Sequence, residues 1–271
     1  MLTYRDFIAG FRKLGVDRAH PVIMHASPSV FGEIKGGIYT ILDALLASFD
    51  SIITPVFTYK TMVIPEIGPP HNGLVYGSGK EDNCVAEMYH PEMPADKKMG
   101  VLAEALRTHP RAYRSAHPIL SFAGINARSA LDSQQTHDPL LPIQTLVDDE
   151  GWVLLIGANH TQNTSIHFAE KLAGRKQFIR WALTQKGIIS CWGFPGCSDG
   201  FEAITPRLEG VKARVHVGHG LIQAFPLVNL IDAASGMLKE DPSALLCDKE
   251  DCLCCSAIRA SIATPHAGQP T

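Results

Sequence analysis

The sequence predicts an α/β fold, on the evidence of its length and of two strand–helix units. Apolar runs at 21–25 (PVIMH) and 51–57 (SIITPVF) enclose a helical stripe over 38–46. This strand–helix–strand order is typical of a βαβ crossover. The clearest buried strand, 151–158 (GWVLLIGA), precedes a helix over 163–173. A chain of 271 residues fits one large domain or two small ones.

Hydrophobic periodicity places the remaining elements. The first helix follows Thr3 as N-cap, carries apolar residues at helical spacing and ends at Gly15. Further helices are predicted over 99–108, 127–131 and 227–238, and further strands over 119–125, 177–183, 187–190 and 211–217. Residues 175–260 are expected to form a smaller C-terminal α+β part, and 261–271 a loose tail.

The segment 58–98 has little periodicity and many prolines and glycines. A stretch of this length without regular structure is usually functional, so we predict a lid or an acceptor-binding loop. Its carboxylates would favour a cationic substrate, with solvated loop charges as the alternative. They belong to Glu66, Glu81, Asp82, Glu87, Glu92 and Asp96.

Composition narrows the class of function. A net charge of −3 with 45 % hydrophobic and 19 % charged residues is ordinary for a globular enzyme and lacks the basic field that binds nucleic acid. We find neither a signal peptide nor an apolar run of about 18 residues, so no membrane partner is expected and the expected compartment is the cytoplasm. P-loop, HExxH and GxGxxG motifs are absent. A monomer or a homodimer is expected.

The stretch NTSIHFAEKLAG (163–174) carries the strongest chemical signal. It follows a buried strand, so its helix should open at the edge of a sheet where α/β proteins bind ligands. His167 and Glu170 lie three residues apart on one helix face, which Thr164 shares. A carboxylate can orient an imidazole base, while a hydroxyl and free helix N–H groups can stabilise an oxyanion. The alternative is an ordinary surface pair.

A second signal is the loop HASPSVFG (25–32) after the first strand. His25 ends that strand, and it is either a functional residue or a satisfied core histidine. Ser27, Ser29 and Gly32 offer hydroxyls and close backbone approach to a phosphate or an amide chain. Further along, Arg114 is interpreted as a residue that binds a ligand phosphate or, alternatively, as an ordinary solvated arginine.

Six segments together resemble the aminoglycoside 3-N-acetyltransferase family in order and spacing. They are 25–37 (HASPSVFGEIKGG), 53–59 (ITPVFTY), 99–107 (MGVLAEALR), 114–124 (RSAHPILSFAG), 152–158 (WVLLIGA) and 163–174. The match is good over 20–175 and looser beyond. It implies one large α/β domain of the antibiotic N-acetyltransferase type over 1–260, with a central mixed sheet flanked by helices.

The resemblance also implies an activity and its residues. The enzyme would transfer an acetyl group from acetyl-CoA to an amine of an aminocyclitol ring, at the 3-N position of an aminoglycoside. His167 matches the family's base, Glu170 its glutamate and Thr164 its first threonine, with Ser165 in place of a second threonine. His25 matches the histidine that opens the serine-rich loop, where Ala26 and Pro28 depart from the usual HSSLS.

The same resemblance implies the CoA-binding residues, which are Ser27, Gly32, Arg114, Ser115 and His117. On this basis we expect direct attack of the amine on the thioester, with His167 as base, Thr164 and nearby backbone N–H groups as oxyanion donors, and His25 as an aid to positioning or proton transfer. No covalent intermediate is required.

The cysteines suggest a separate feature. Four of the seven, Cys197, Cys247, Cys252 and Cys255, have spacings that suit a structural zinc site, and free thiols are the alternative. Two rival functions remain at this stage. One is a metal-dependent hydrolase that uses His25, His117, His160 and His167, and the other is a binding module without catalysis.

Overall fold

A computed structural model describes residues 1–263, and in that range the chain forms ten strands and nine α-helices. The strands are β1 (Val22–Ala26), β2 (Ile52–Pro55), β3 (Met62–Val63), β4 (Tyr113–Arg114), β5 (Phe122–Ile125), β6 (Trp152–Ile156), β7 (Phe178–Thr184), β8 (Gly187–Phe194), β9 (Ala213–Val217) and β10 (Gly220–Pro226). The helices are α1 (Tyr4–Lys13), α2 (Ile38–Ser48), α3 (Lys80–Cys84), α4 (Gly100–Arg107), α5 (Arg128–Asp132), α6 (Leu141–Asp148), α7 (Ser165–Leu172), α8 (Leu227–Glu240) and α9 (Leu253–Ala263). Short 3₁₀ helices span Pro28–Phe31, Tyr59–Thr61, Lys97–Met99, His160–Gln162 and Phe201–Leu208.

Seven strands form the main sheet in the order β4-β5-β2-β1-β6-β10-β9. Strand β1 runs parallel to β2 and β6, whereas the outer neighbours pair antiparallel. The sheet is therefore mixed, which confirms the predicted fold class. The parallel strands β2, β1 and β6 lie at its centre, so their carboxyl ends meet at one edge.

Helices cover both faces of this sheet, which explains why its central strands are continuously apolar. In β6, Val153 and Leu155 pack into the core formed with α5, α6, α7 and α8. The alternate residues Leu154 and Ile156 pack into the core formed with α1, α2 and α4. Each such fully buried side chain contributes about 1.5–3 kcal/mol, so the sheet is a rigid base for the loops at its edge.

A smaller sheet, in the order β3-β7-β8, stands apart from the main one. Its first strand comes from the 58–98 segment, which therefore has more regular structure than predicted. The predicted smaller C-terminal part, 175–260, supplies the other two strands of this sheet and also β9 and β10 of the main one. Strand β10 pairs with β6 from Ile222 opposite Ile156 to Pro226 opposite Trp152, so the last two strands extend the main sheet.

The end of the chain also differs from the prediction. Helix α9 reaches Ala263, so 261–263, which the sequence assigned to the tail, are helical. The rest of the predicted tail, 264–271, lies outside the described residues. Over 1–263, no helix combines the length and apolar character needed to cross a bilayer.

The packing at the carboxyl edge of the parallel strands can be tested at Gly157, which lies directly after β6. Its φ is +66°, and a Cβ there would lie 2.6 Å from the Ser27 carbonyl oxygen and 2.5 Å from Val30 Cγ2. Gly157→Ala should therefore lower the free energy of unfolding by about 2–4 kcal/mol, as measured by urea denaturation. Gly210→Ala is the control, since a Cβ there has no neighbour within 4 Å. Equal stability of the two variants would contradict this packing.

Candidate active site

A cavity of about 470 Å³ opens at the carboxyl edge of the three parallel strands. His25 and Ala26 reach it from β1, Thr54 and Pro55 from β2, and the segment after β6 supplies a third side. Ligands of α/β proteins commonly bind at this edge, because loops diverge there and helix N-termini face it. The position is the one that the sequence predicted for the 163–174 motif.

His167 and Glu170 of α7 are in contact, as their spacing predicted. His167 Nδ1 lies 2.6 Å from Glu170 Oε2, and the imidazole lines the cavity. The other carboxylate oxygen, Oε1, accepts a hydrogen bond from Arg175 Nη1 at 2.6 Å. The result is a continuous guanidinium–carboxylate–imidazole chain, and Arg175 is a member of it that the sequence analysis did not identify.

The chain of three side chains is buried and held on several sides. Glu170 is 1 % exposed, and the guanidinium of Arg175 compensates the charge of its buried carboxylate. Arg175 Nη2 in turn donates to the carbonyl oxygens of Pro242 and Ala244 at 2.6 and 2.7 Å. The imidazole of His167 packs edge-on against the ring of Phe201, with centroids 4.7 Å apart. An ordinary surface pair is therefore excluded.

The bond to Glu170 sets the tautomer of His167. An ionised carboxylate only accepts hydrogen bonds, so a neutral imidazole must carry its proton on Nδ1. Nε2 is then a free lone pair on a ring that lines the cavity. This is the arrangement that a general base requires.

Thr164 lies at the cavity directly before α7, and its hydroxyl does not cap its own helix. The N–H groups that follow are already paired. That of Ser165 donates to Asn163 Oδ1 at 3.1 Å, that of Ile166 to the Asn163 carbonyl at 3.2 Å, and that of His167 to the Thr164 carbonyl at 3.1 Å. These three N–H groups thus have partners in this structure, and the roles of the Thr164 hydroxyl and of nearby backbone N–H groups as oxyanion donors stay a prediction.

His25 is 6 % exposed, lines the cavity and has no hydrogen-bond partner for Nε2 among the described residues. Burial, with a smaller effect from His160, lowers the pKa of His25 to about 3. The ring is therefore neutral at physiological pH and is a weak base. Its unpaired Nε2 suits a hydrogen bond to a ligand better than proton abstraction.

The other residues of the first loop lie outside this cavity. The N–H group of Ser27 donates to the Ile156 carbonyl at 2.9 Å, which ties the loop to β6. Gly32, with a φ of +68°, borders a separate shallow groove near Pro28 and Ile34. Their assignment to CoA binding stays a prediction.

Arg114, Ser115 and His117 lie away from the cavity and contact the protein itself. The Arg114 guanidinium donates to Ser121 Oγ and to the carbonyl oxygens of Pro91, Met93 and Val56. Ser115 Oγ accepts from the Phe122 N–H group at 2.8 Å, and His117 Nδ1 accepts from two backbone N–H groups. In this structure the three residues thus contact the protein itself, and their assignment to CoA binding stays a prediction.

The carboxylates of 58–98 are also absent from the cavity lining, contrary to the expectation for a cationic acceptor. Glu87 pairs with Lys60 at 2.7 Å, and Asp96 accepts from the Lys98 N–H group at 2.9 Å. The segment contributes Tyr59 and Lys98 to the lining instead.

Sequence analysis missed one whole wall of the cavity. The cavity is also lined by residues at and after the end of β8, which are Phe194, Pro195, Gly196 and Ser198. The pattern GCSDG at 196–200 has the GxSxG spacing typical of a nucleophile elbow and was a signal in this region. The serine here follows a strand of the smaller sheet, next to Cys197.

The predicted cysteine set is the one group in residues 1–263 with the geometry to hold a metal ion. The sulfur atoms of Cys197, Cys247, Cys252 and Cys255 all lie within 4.8 Å of one another. The four histidines of the rival hydrolase form no such group among these residues. The arrangement of the histidines therefore does not support a metal-dependent hydrolase.

Comparison with known proteins agrees with this geometry. A family model described as aminoglycoside 3-N-acetyltransferase matches residues 23–239. Aminoglycoside N(3)-acetyltransferase IX of Micromonospora chalcea is 34 % identical over 181 residues, and the alignment covers 62 % of each protein. The chain thus spans somewhat less than two thirds of that relative.

Solved structures share the fold. Aminoglycoside acetyltransferase AAC(3)-IVa superposes with a TM-score of 0.78 at 22 % identity over 96 % of this chain and 97 % of that one. A further structure of that enzyme, a mutant, contains a gentamicin. AAC-IIIb in a binary complex with CoASH has a TM-score of 0.70 at 22 % identity, over 88 % and 96 % of the two chains. The chain belongs to the aminoglycoside 3-N-acetyltransferase family.

The buried histidines predict how stability depends on pH. Burial lowers the pKa of His25 to about 3 and those of His117 and His160 to about 4, below the ordinary value of 6.5. The unfolded chain therefore binds more protons than the folded one below pH 6.5, so unfolding becomes easier as the pH falls towards 4. Each histidine contributes up to about 1.4 kcal/mol per pH unit to the free energy of unfolding.

Urea denaturation of the wild type and of His117→Asn at several pH values measures this effect. The amide oxygen of asparagine can replace Nδ1 as acceptor, so the variant should fold and show a shallower slope below pH 6.5. His216→Gln, at an exposed position of β9, should keep the wild-type slope. A slope unchanged in His117→Asn would contradict the neutral state of this histidine.

Proposed function

We propose that the chain transfers the acetyl group of acetyl-CoA to an amine of an aminoglycoside, at the 3-N position, or of a similar aminocyclitol. One observation carries this proposal: the hydrogen-bonded side chains of Arg175, Glu170 and His167 present an imidazole to the cavity at the carboxyl edge of the sheet. Family membership supplies the reaction class, and related structures hold CoASH or a gentamicin.

The first task of the site is to make nitrogen nucleophilic. An amine at neutral pH is mostly an ammonium ion, so its lone pair becomes available only after a base accepts a proton. His167 Nε2 accepts that proton. The imidazolium then donates from Nδ1 to Glu170, whose carboxylate stabilises the new charge at a distance of 2.6 Å. Arg175 keeps the carboxylate ionised and oriented.

The second task is to stabilise the thioester carbonyl as it becomes an oxyanion. The nitrogen attacks the carbonyl carbon, a C–N bond forms, and the C–S bond breaks as the tetrahedral intermediate collapses. The Thr164 hydroxyl is the proposed donor to the oxyanion. The thiolate of CoA leaves and takes up the second proton that the acylated nitrogen must lose, and the imidazolium returns its proton to solvent, so free thiol and amide are the products. Acetyl transfer is direct, without an acetyl-enzyme.

In this proposal, His25 binds the thioester through a hydrogen bond at its unpaired Nε2 atom. Because the pKa of His25 is low, its neutral ring contacts the thioester, while His167 acts as the base. Ser27 and Gly32 are proposed to meet the rest of CoA along the first loop, next to the groove that Gly32 borders. Residues 1–260 act as one domain in the cytoplasm, where acetyl-CoA is available, as a monomer or a homodimer.

A second candidate acceptor follows from the charge of the cavity. Its lining contains Lys98 and no carboxylate, although an aminoglycoside carries several positive charges. The carboxylate of Asp199, close to the wall, is paired with Lys249 at 2.6 Å. An amine with fewer charges would therefore meet less repulsion, which favours acetylation of a non-aminoglycoside amine as the alternative.

Thiol release from acetyl-CoA, measured with a panel of aminoglycosides and simpler amines, tests the proposal. His167→Gln should lower kcat by about 10²–10⁴-fold, because only the proton transfer is lost. His216→Gln is the control and should retain activity. Preference for weakly charged amines would favour the second candidate. Equal turnover in His167→Gln and wild type, or an acetylated enzyme trapped in Ser198 or elsewhere, would contradict direct transfer by this base.

A further inference from the structure

Four cysteine sulfurs from three separate parts of the chain meet behind the wall of the cavity. Cys197 follows β8 and Cys247 lies in the segment after α8, while Cys252 directly precedes α9 and Cys255 lies in its first turn. Their sulfur atoms all lie within 4.8 Å of one another, and those of Cys247 and Cys255 are 3.5 Å apart. Residues far apart in the chain thus share one small volume.

These distances fit a tetrahedral metal site. Zn–S bonds of about 2.3 Å in a tetrahedron place the sulfurs about 3.8 Å apart. A disulfide would instead need about 2.05 Å. Cys252 and Cys255 have the C-x2-C spacing typical of structural zinc sites, and four sulfur ligands are the set that zinc prefers over magnesium or calcium.

The positions of the other three cysteines exclude them from this metal site. Cys84 is exposed on α3, and Cys191 is buried in the main core. Cys254 is next to Cys255 in the chain but faces away, with its sulfur 3.8 Å from Arg180 Nη2. Selection of four out of seven cysteines, with an immediate neighbour left out, indicates a built site.

The surroundings suit a negatively charged metal–thiolate centre. Four thiolates and one Zn²⁺ carry a net charge of about −2, which donors and cations must offset. The Asp199 N–H group donates to Cys197 Sγ at 3.4 Å. Lys249 lies between Cys247 and Cys252 in the chain, and Arg259 donates to the Cys247 carbonyl. Half of the ligands, Cys247 and Cys255, are buried, so water has limited access to the ion.

We propose that Cys197, Cys247, Cys252 and Cys255 bind one Zn²⁺, and that this ion fixes the wall of the cavity to the C-terminal helix. Cys197 lies between Gly196 and Ser198, which both line the cavity. The segment before Cys247 is already tied to the site, because Arg175 donates to the Pro242 and Ala244 carbonyls. The ion serves position and stability, and the acetyl transfer proposed above does not depend on it.

Metal content tests the site independently of activity. Protein purified in the presence of a phosphine reductant should contain about one zinc per chain by plasma mass spectrometry. Cobalt(II) exchanged into the site should give the intense visible absorption of a tetrahedral thiolate complex. Cys255→Ser should lose the zinc, whereas Cys254→Ser, the matched control one residue away, should keep it.

Removal of the metal should also lower the Tm of the wild type by roughly 5 °C or more, and added zinc should restore it. If Cys255→Ser fails to fold, the zinc content and the cobalt spectrum of the wild type still decide the question. Wild-type protein with four reactive thiols and no bound zinc would overturn the proposal. A Cys247–Cys255 disulfide that persists in the presence of the reductant would overturn it as well. Neither result would affect the test of His167 by thiol release.

Discussion

The carboxylate of Glu170 lies almost fully buried between an imidazole and a guanidinium, at 2.6 Å from each. A lone carboxylate at this depth would be strongly destabilising, since desolvation of an ion costs several kcal/mol. Arg175 compensates the charge, and its remaining donors anchor the segment after α8. The orientation of His167, the position of α7 and the course of the C-terminal segment therefore depend on one ion pair.

The sheet explains why this ion pair faces a ligand. Of the strand pairings in the main sheet of residues 1–263, only those of β1 with β2 and with β6 are parallel. The carboxyl ends of these three neighbouring strands therefore meet at one edge, where His25, Thr54 and the α7 motif line the cavity. The end of β8 in the smaller sheet and the segment after it complete the lining, next to Cys197 of the cysteine cluster. His167, the proposed base, thus lies next to the central strands of the sheet, while Pro195, Gly196 and Ser198 of the cavity lining come from a loop, where members of one fold usually differ.

Much of this organisation could be predicted. The apolar runs of β1, β2 and β6 and the spacing of His167 and Glu170 are local signals, and the four cysteines were identified by spacing alone. Arg175 was missed because it follows the helix stop at Gly174 and folds back onto Glu170, which no local pattern encodes. The contacts of Arg114 were not predicted either, because its guanidinium donates to carbonyl oxygens of loops distant in sequence. Strand β10 was missed because its role depends on pairing with β6.

The tautomer of His167 tests the central claim most directly. In a ¹⁵N–¹H correlation spectrum of protein labelled at histidine, with the signals assigned by their loss in His167→Gln, the neutral ring should carry its proton on Nδ1 and leave Nε2 bare. This result would establish that Glu170 presents the imidazole as a base. A proton on Nε2 of the neutral ring would contradict the account, because that nitrogen could then not accept a proton from the amine.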